Sequence, residues 1–141
     1  MEGYHDHWKD FVQEHLLKYG VIDGIILTTK RGEAIYSHGK MNSIDQSKLG
    51  QFVQMFSVST EEQELAACKR GFVLYNMDGK STHYKVYHKM PCSAYCTSGG
   101  NSQGLLVCNL PYGVLVASHP AQQTNTMVIN IVERACQLLR A

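Results

Sequence analysis

The sequence predicts an α+β fold in which an antiparallel sheet is covered by helices. Three observations point there. Stretches at both ends carry apolar residues at helical spacing, the middle of the chain alternates apolar and polar residues with period two, and short turn signals join the alternating runs. Runs of strands between terminal helices argue against alternating parallel units.

The first helix opens near the only tryptophan of the chain, Trp8, and places Trp8, Phe11, Val12, His15, Leu16 and Tyr19 on one face. Asp6 or His7 is the expected cap, and Gly20 the expected left-handed stop after Tyr19. Val21 to Thr29 is rich in β-branched residues, and Lys30, Arg31 and Gly32 form a tight turn into Glu33 to Ser37, which reads as a hairpin. Its register sets Ile25 and Leu27 against Ile26. After a loop from Gly39 to Ser43, the spacing of Leu49, Phe52, Val53 and Phe56 predicts a helix over Asp45 to Phe56, with Ser43 or Asp45 as cap. Ser59 and Glu62 are spaced as a capping box for a short helix from Thr60 to Lys69, closed by Gly71.

From Phe72 the period becomes two. Phe72 and Leu74, then Tyr84, Val86 and His88, alternate about a turn at Met77, Asp78 and Gly79. Ser93 to Thr97 is a further strand, Ser98 to Ser102 a glycine- and serine-rich turn, and Leu105 to Asn109 pairs with Tyr112 to Ser118 across Leu110 and Pro111. Pro120 ends the sheet. Thr124 is the expected cap of a final helix whose buried stripe is Val128, Ile131, Val132, Ala135, Leu138 and Leu139.

At 141 residues the chain reads as one domain, residues 1–141, long enough to bury about 70% of its unfolded surface. The net charge of +1 and the lack of an arginine-rich run argue against nucleic acid. No apolar stretch is long enough to cross a bilayer, and the polar N-terminus does not resemble a signal peptide. A cytoplasmic protein is expected. Five scattered cysteines, Cys68, Cys92, Cys96, Cys108 and Cys136, fit reduced thiols better than bridges.

Candidate chemistry is sparse. His5 and His7 flank Asp6, Cys92 and Cys96 stand four apart, and His83 and His88 alternate to opposite faces of one strand, so none makes a recognised zinc pair. There is no nucleophile elbow, phosphate loop or helical His-Glu-x-x-His. No metal, cofactor or enzymatic activity is therefore expected. Trp8 and Phe11 sit in the first turn of their helix, and an indole with one face packed and a wet N–H suits a proline-rich peptide, which arrives already extended. Lys69 with Arg70, and Lys85 with Lys89, are basic pairs suited to acidic protein surfaces or anionic lipid heads.

The order and spacing of five segments resemble the profilins, small proteins that bind actin monomers and polyproline. These segments are Trp8-x-x-Phe11; the Gly24 to Leu27 strand with its Gly32 turn; Gly99-Gly100 and the apolar strand to Cys108; Gly113 to Ala117; and Asn130 to Arg134 continuing to Leu139. The resemblance implies a central antiparallel sheet with the N- and C-terminal helices packed together on one face and smaller helices on the other. It also implies a proline-binding cleft between the terminal helices walled by Trp8, Phe11 and Leu138. Tyr36 is the candidate strand aromatic of that cleft, with Ile35 as the alternative alignment. On the actin-binding face the resemblance carries Glu133, Lys85 and Lys89, while Ala94, Tyr95 and Cys96 stand where a basic residue is often found. Actin monomers, proline-rich proteins and anionic phosphoinositides are the implied partners of a monomer associated with the cytoskeleton.

A second resemblance is to roadblock or longin-like modules, dimerising scaffolds for small GTPases or dynein. It rests on Asp23 to Leu27, the Gly32 turn, Ala34 to Tyr36 and the amphipathic segment from Asp45. It leaves Trp8, Phe11 and the Gly99-Gly100 hairpin without a role.

Overall fold

The computed structural model describes residues 2–99, 103–120 and 125–141, with the side chains of residues 2–6 and 125 outside the description. Thr124, Gly100 and Ser102, named above as a cap and as turn residues, fall outside it. Four helices, α1 (Glu2–His15), α2 (Gly50–Gln54), α3 (Glu61–Arg70) and α4 (Asn125–Arg140), accompany seven strands. The strands are β1 (Gly24–Thr29), β2 (Ala34–Gly39), β3 (Phe72–Tyr75), β4 (Ser81–Met90), β5 (Ser93–Ser98), β6 (Gln103–Leu110) and β7 (Gly113–Pro120). They form one antiparallel sheet in the order β2-β1-β7-β6-β5-β4-β3, as the alternating pattern and tight turns predict.

Because side chains alternate across a strand, the sheet buries two cores. On one face Ile25 and Leu27 of β1, Leu106 and Cys108 of β6, and Leu115 and Ala117 of β7 meet both terminal helices, through Trp8, Val12 and Leu16 of α1 and Val128, Val132, Ala135 and Cys136 of α4. On the other, Ile26, Leu105, Val107, Val114 and Val116 meet Phe52 of α2 and Ala67 of α3. The terminal helices thus share one side of the sheet and the smaller helices the other.

Several boundaries differ from the sequence reading. Asp6 and His7 lie inside α1, which begins at Glu2, so neither is its cap. The helix ends at His15, and a 3-10 turn over Leu17–Tyr19 precedes Gly20, whose φ of 71° supplies the left-handed stop. The Gly39 to Ser43 loop is partly a 3-10 turn, Lys40–Ser43. The helix expected over Asp45 to Phe56 splits into a 3-10 turn, Gln46–Lys48, and the short α2. The β1–β2 turn lies against this break, since a Cβ on Gly32 would sit 2.9 Å from the Gly50 backbone. The hairpin therefore abuts the chain where α2 starts. Asp45 caps the 3-10 turn, accepting from the Ser47 backbone N–H at 3.0 Å. The capping box of α3 lies one residue later than Ser59 and Glu62. Thr60 Oγ1 accepts from the Gln63 backbone N–H at 3.1 Å, and Gln63 Oε1 accepts from the Ser59 backbone N–H at 2.9 Å.

The largest departure is in β4. Val86 pairs with Cys96 and His88 with Tyr95, so Tyr87 is an extra residue, a β-bulge, that reverses the alternation. Tyr84 and Val86 face the α2–α3 core, whereas His88 falls on the terminal-helix side with Tyr95. His83 and His88 consequently share a face instead of opposing each other.

Candidate functional site

Both terminal helices lead to the turn between β6 and β7. The Trp8 ring lies against Tyr112 of that turn, centroids 6.2 Å apart and tilted 41°, and meets Phe11 edge to face at 6.3 Å. Arg140 at the end of α4 donates from Nη2 to the Asn109 carbonyl at 2.8 Å and to the Cys92 carbonyl at 3.3 Å. The middle of α1, at Trp8, and the end of α4 are in this way drawn to one edge of the sheet, as a cleft between the terminal helices requires.

The indole is the floor of this site and not its rim. Trp8 is 7% exposed and its Nε1 is buried, so the expected wet N–H is not there. The accessible atoms belong to half-buried Phe11, tilted against His15 at 4.6 Å, and to Tyr112, which is 43% exposed. Leu138 of α4 is 50% exposed, and it is the neighbouring Leu139 that packs against the Trp8 core. Tyr36 is buried in the same core as Trp8, with Ile35 packed half-exposed against it. Burial raises the Tyr36 phenol above its ordinary pKa. Tyr112 was not singled out from the sequence. The Pro111-Tyr112-Gly113 turn marks it as an exposed aromatic, but its contact with Trp8 joins residues too far apart in the chain to be read from periodicity. A further groove of about 460 Å³ opens between Tyr19 and the first half of α4, lined by Met127, Asn130, Ile131 and Arg134.

The charged candidates are dispersed. Lys85 pairs with Thr97, is exposed, and lies on the terminal-helix side of the sheet. Lys89, beyond the bulge, lies on the opposite side, where its Nζ stands 5.1 Å from the Phe56 ring centre and donates to the Met90 carbonyl at 2.8 Å. An unbroken strand would bring these lysines to one face. Glu133 is half-buried between α4 and the sheet, and its Oε2 accepts from Ser93 Oγ at 2.9 Å and Tyr95 OH at 2.6 Å. Burial first, and then the hydrogen bond to Glu133, raise the Tyr95 phenol well above its usual range.

Beside that carboxylate lie Cys108 of β6 and Cys136 of α4, both fully buried. Their sulfurs and a Glu133 oxygen are all within 4.8 Å of one another. The hydrogen bond between the two thiols, followed by burial, pushes the Cys108 thiol far above its ordinary value. Local spacing gave no hint of this group, because the partners come from a strand and a helix.

A seven-stranded antiparallel sheet with both terminal helices on one side and short helices on the other defines the class of domain. Several solved profilins share this architecture over nearly the whole chain, and the chain has the profilin fold in a divergent sequence. Profilin of Schizosaccharomyces pombe superimposes with a TM-score of 0.75 at 17% identity, covering 94% of this chain and 95% of that one. Acanthamoeba castellanii profilin II gives 0.74 at 17% identity over the same shares. LokiProfilin2, in its complex with rabbit actin, gives 0.72 at 15% identity over 95% of this chain and 96% of that one. No family model matches the sequence, and no curated protein matches it significantly. The dimerising-scaffold reading is the weaker one, since the profilin likeness includes α1, the closing strands and α4. No described helix is long and apolar enough to cross a membrane.

Proposed function

We propose that this chain is a non-enzymatic cytoplasmic protein that binds actin monomers on one surface and proline-rich segments on another, and so regulates actin polymerisation. The observation that carries the proposal is the meeting of Trp8, Phe11 and Tyr112 where the two terminal helices reach the β6–β7 turn. A shallow aromatic ledge formed by Phe11 and Tyr112 suits an extended polyproline helix, which needs apolar contact along its rings and few hydrogen bonds, and exposed Leu138 of α4 is its proposed further wall. Trp8 acts from beneath as the support of that ledge, and Tyr36 supports it from the sheet. Support for actin comes from the fold shared with LokiProfilin2, which was solved on rabbit actin.

For the actin surface, Lys85 offers an uncommitted charge on the terminal-helix side, while Glu133 and Lys89 are engaged within the molecule. Anionic phosphoinositides would meet Lys85 or the exposed Lys69–Arg70 pair at the end of α3.

The proline half is tested by titrating a proline decamer against the fluorescence of Trp8, the sole tryptophan. Emission should change saturably, and Tyr112→Ala should weaken binding by about tenfold or more with the fold intact. An unchanged spectrum at millimolar peptide refutes it. The actin half is tested by spontaneous polymerisation of actin with excess protein: the lag should lengthen, and Lys85→Glu should shorten it again. Polymerisation that ignores the protein refutes that half.

A further inference from the structure

We propose that Cys108, Cys136 and Glu133 form a binding site for a thiophilic divalent cation, zinc, that fastens α4 to the sheet. The donor set is suited to zinc, which takes thiolate sulfur and carboxylate oxygen in tetrahedral geometry. With Zn–S of about 2.3 Å and Zn–O of about 2.0 Å, neighbouring ligand atoms stand roughly 3.3–3.8 Å apart. Here Cys108 Sγ is 3.9 Å from Glu133 Oε1, and all three donor atoms lie within 4.8 Å of each other, so adjustments of an ångström or less gather them.

Three further observations favour a cation. Glu133 and Cys136 are three apart on α4 and project from the same side of the helix, opposite Cys108 on β6. Ser93 Oγ, 3.7 Å from the Cys108 sulfur and 2.9 Å from Glu133 Oε2, is placed as a fourth donor, an oxygen. The Tyr95 hydroxyl donates to Glu133 at 2.6 Å, the outer-sphere contact that orients a ligating carboxylate. Among the described residues no lysine, arginine or histidine forms an ion pair with Glu133, so the negative charge between α4 and the sheet has no cation from the protein. A zinc ion supplies one. The site is independent of the actin and proline readings.

The test uses the full chain with exposed Cys92 and half-buried Cys68 replaced by serine, refolded with and without one equivalent of Co²⁺ as a spectroscopic stand-in for Zn²⁺. Expected are a thiolate-to-cobalt charge-transfer band that saturates at one equivalent, its displacement by Zn²⁺, and one bound zinc by elemental analysis. Cys136→Ser should abolish the band, and Tyr95→Phe should weaken binding by about 10–100-fold. Because a cysteine variant can fail to fold, Glu133→Gln serves as the isosteric control. It keeps the shape of the helix–sheet contact and should still lower affinity at least tenfold. No band on refolding, or a band that survives Cys136→Ser, overturns the site. Recovery of a Cys108–Cys136 disulfide from protein kept under reducing conditions does so too.

Discussion

Replacing Trp8 with alanine should unfold the protein more than it exposes a binding surface. The indole is 93% enclosed, being 7% exposed, and packs against Phe11 and Tyr112 in the core shared by α1, α4 and the sheet. Tryptophan-to-alanine changes at enclosed positions cost about 3–5 kcal/mol, the lost transfer energy plus the cavity left behind. Domains of this kind have only about 5–15 kcal/mol in hand. With a urea m-value of about 2 kcal/mol/M, a loss of 4 kcal/mol lowers the unfolding midpoint by about 2 M. Far-UV circular dichroism is the suitable assay, since the variant has no tryptophan to follow. Tyr112→Ala, at a side chain 43% exposed, should cost only about 1 kcal/mol. If Trp8→Ala shifts the midpoint by less than 0.5 M, or by no more than Tyr112→Ala, the indole is a surface group and the packing argument fails. If the costs differ as expected, loss of peptide binding in Trp8→Ala reports a damaged core, and Tyr112→Ala is the cleaner probe of the ledge.

Gly104→Ala should destabilise by about 1–3 kcal/mol, because the new methyl would overlap the buried His119 ring that covers it. Thermal melts of the single variants and of Gly104→Ala with His119→Ala should show a coupling that recovers much of the loss, whereas simple additivity would mean that the ring is not the obstacle. Tyr84 is fully buried in the α2–α3 core, and burial, with the charge of Asp23 and the neighbouring Cys96 adding to it, pushes its phenol up to about 12. Its unfolded form ionises near 10, so the unfolded state sheds its proton first and stability falls as pH climbs from about 10 to about 12. Ultraviolet difference titration of the Tyr84→Phe variant should lack one phenolate that appears near pH 12; an unchanged curve would contradict the burial.

What could be read from residues alone was mostly local. The apolar stripe of α1, the Gly20 stop and the Lys30-Arg31-Gly32 turn each depend on neighbours within a few positions, and each is found in place. The resemblance to profilins added the side of the sheet on which each helix lies. The misreadings came where distant chain intervenes. The helix after Asp45 is interrupted beside the Gly32 turn, which lies against Gly50 at the start of α2, a contact between distant segments that periodicity does not register. Trp8 was expected to be open because it opens a helix, yet the β6–β7 turn closes over it through Tyr112. Cys108 and Cys136 were not paired by spacing, because a strand and a helix bring them together from distant parts of the chain. The basic pair Lys85 and Lys89 is divided between the two faces of the sheet, because one extra residue stands between them in β4.

That extra residue also governs how this segment should be aligned with other sequences. Tyr87 sits outside the ladder, so a chain shorter by one at this point would keep every cross-strand partner on either side of it. Aligning a chain that lacks the extra residue without a one-residue gap there assigns His88, Lys89 and Met90 to the wrong columns, and turns each residue inside out when its environment is transferred. Any charge pattern traced through homologues along β4 should be counted separately before and after position 87.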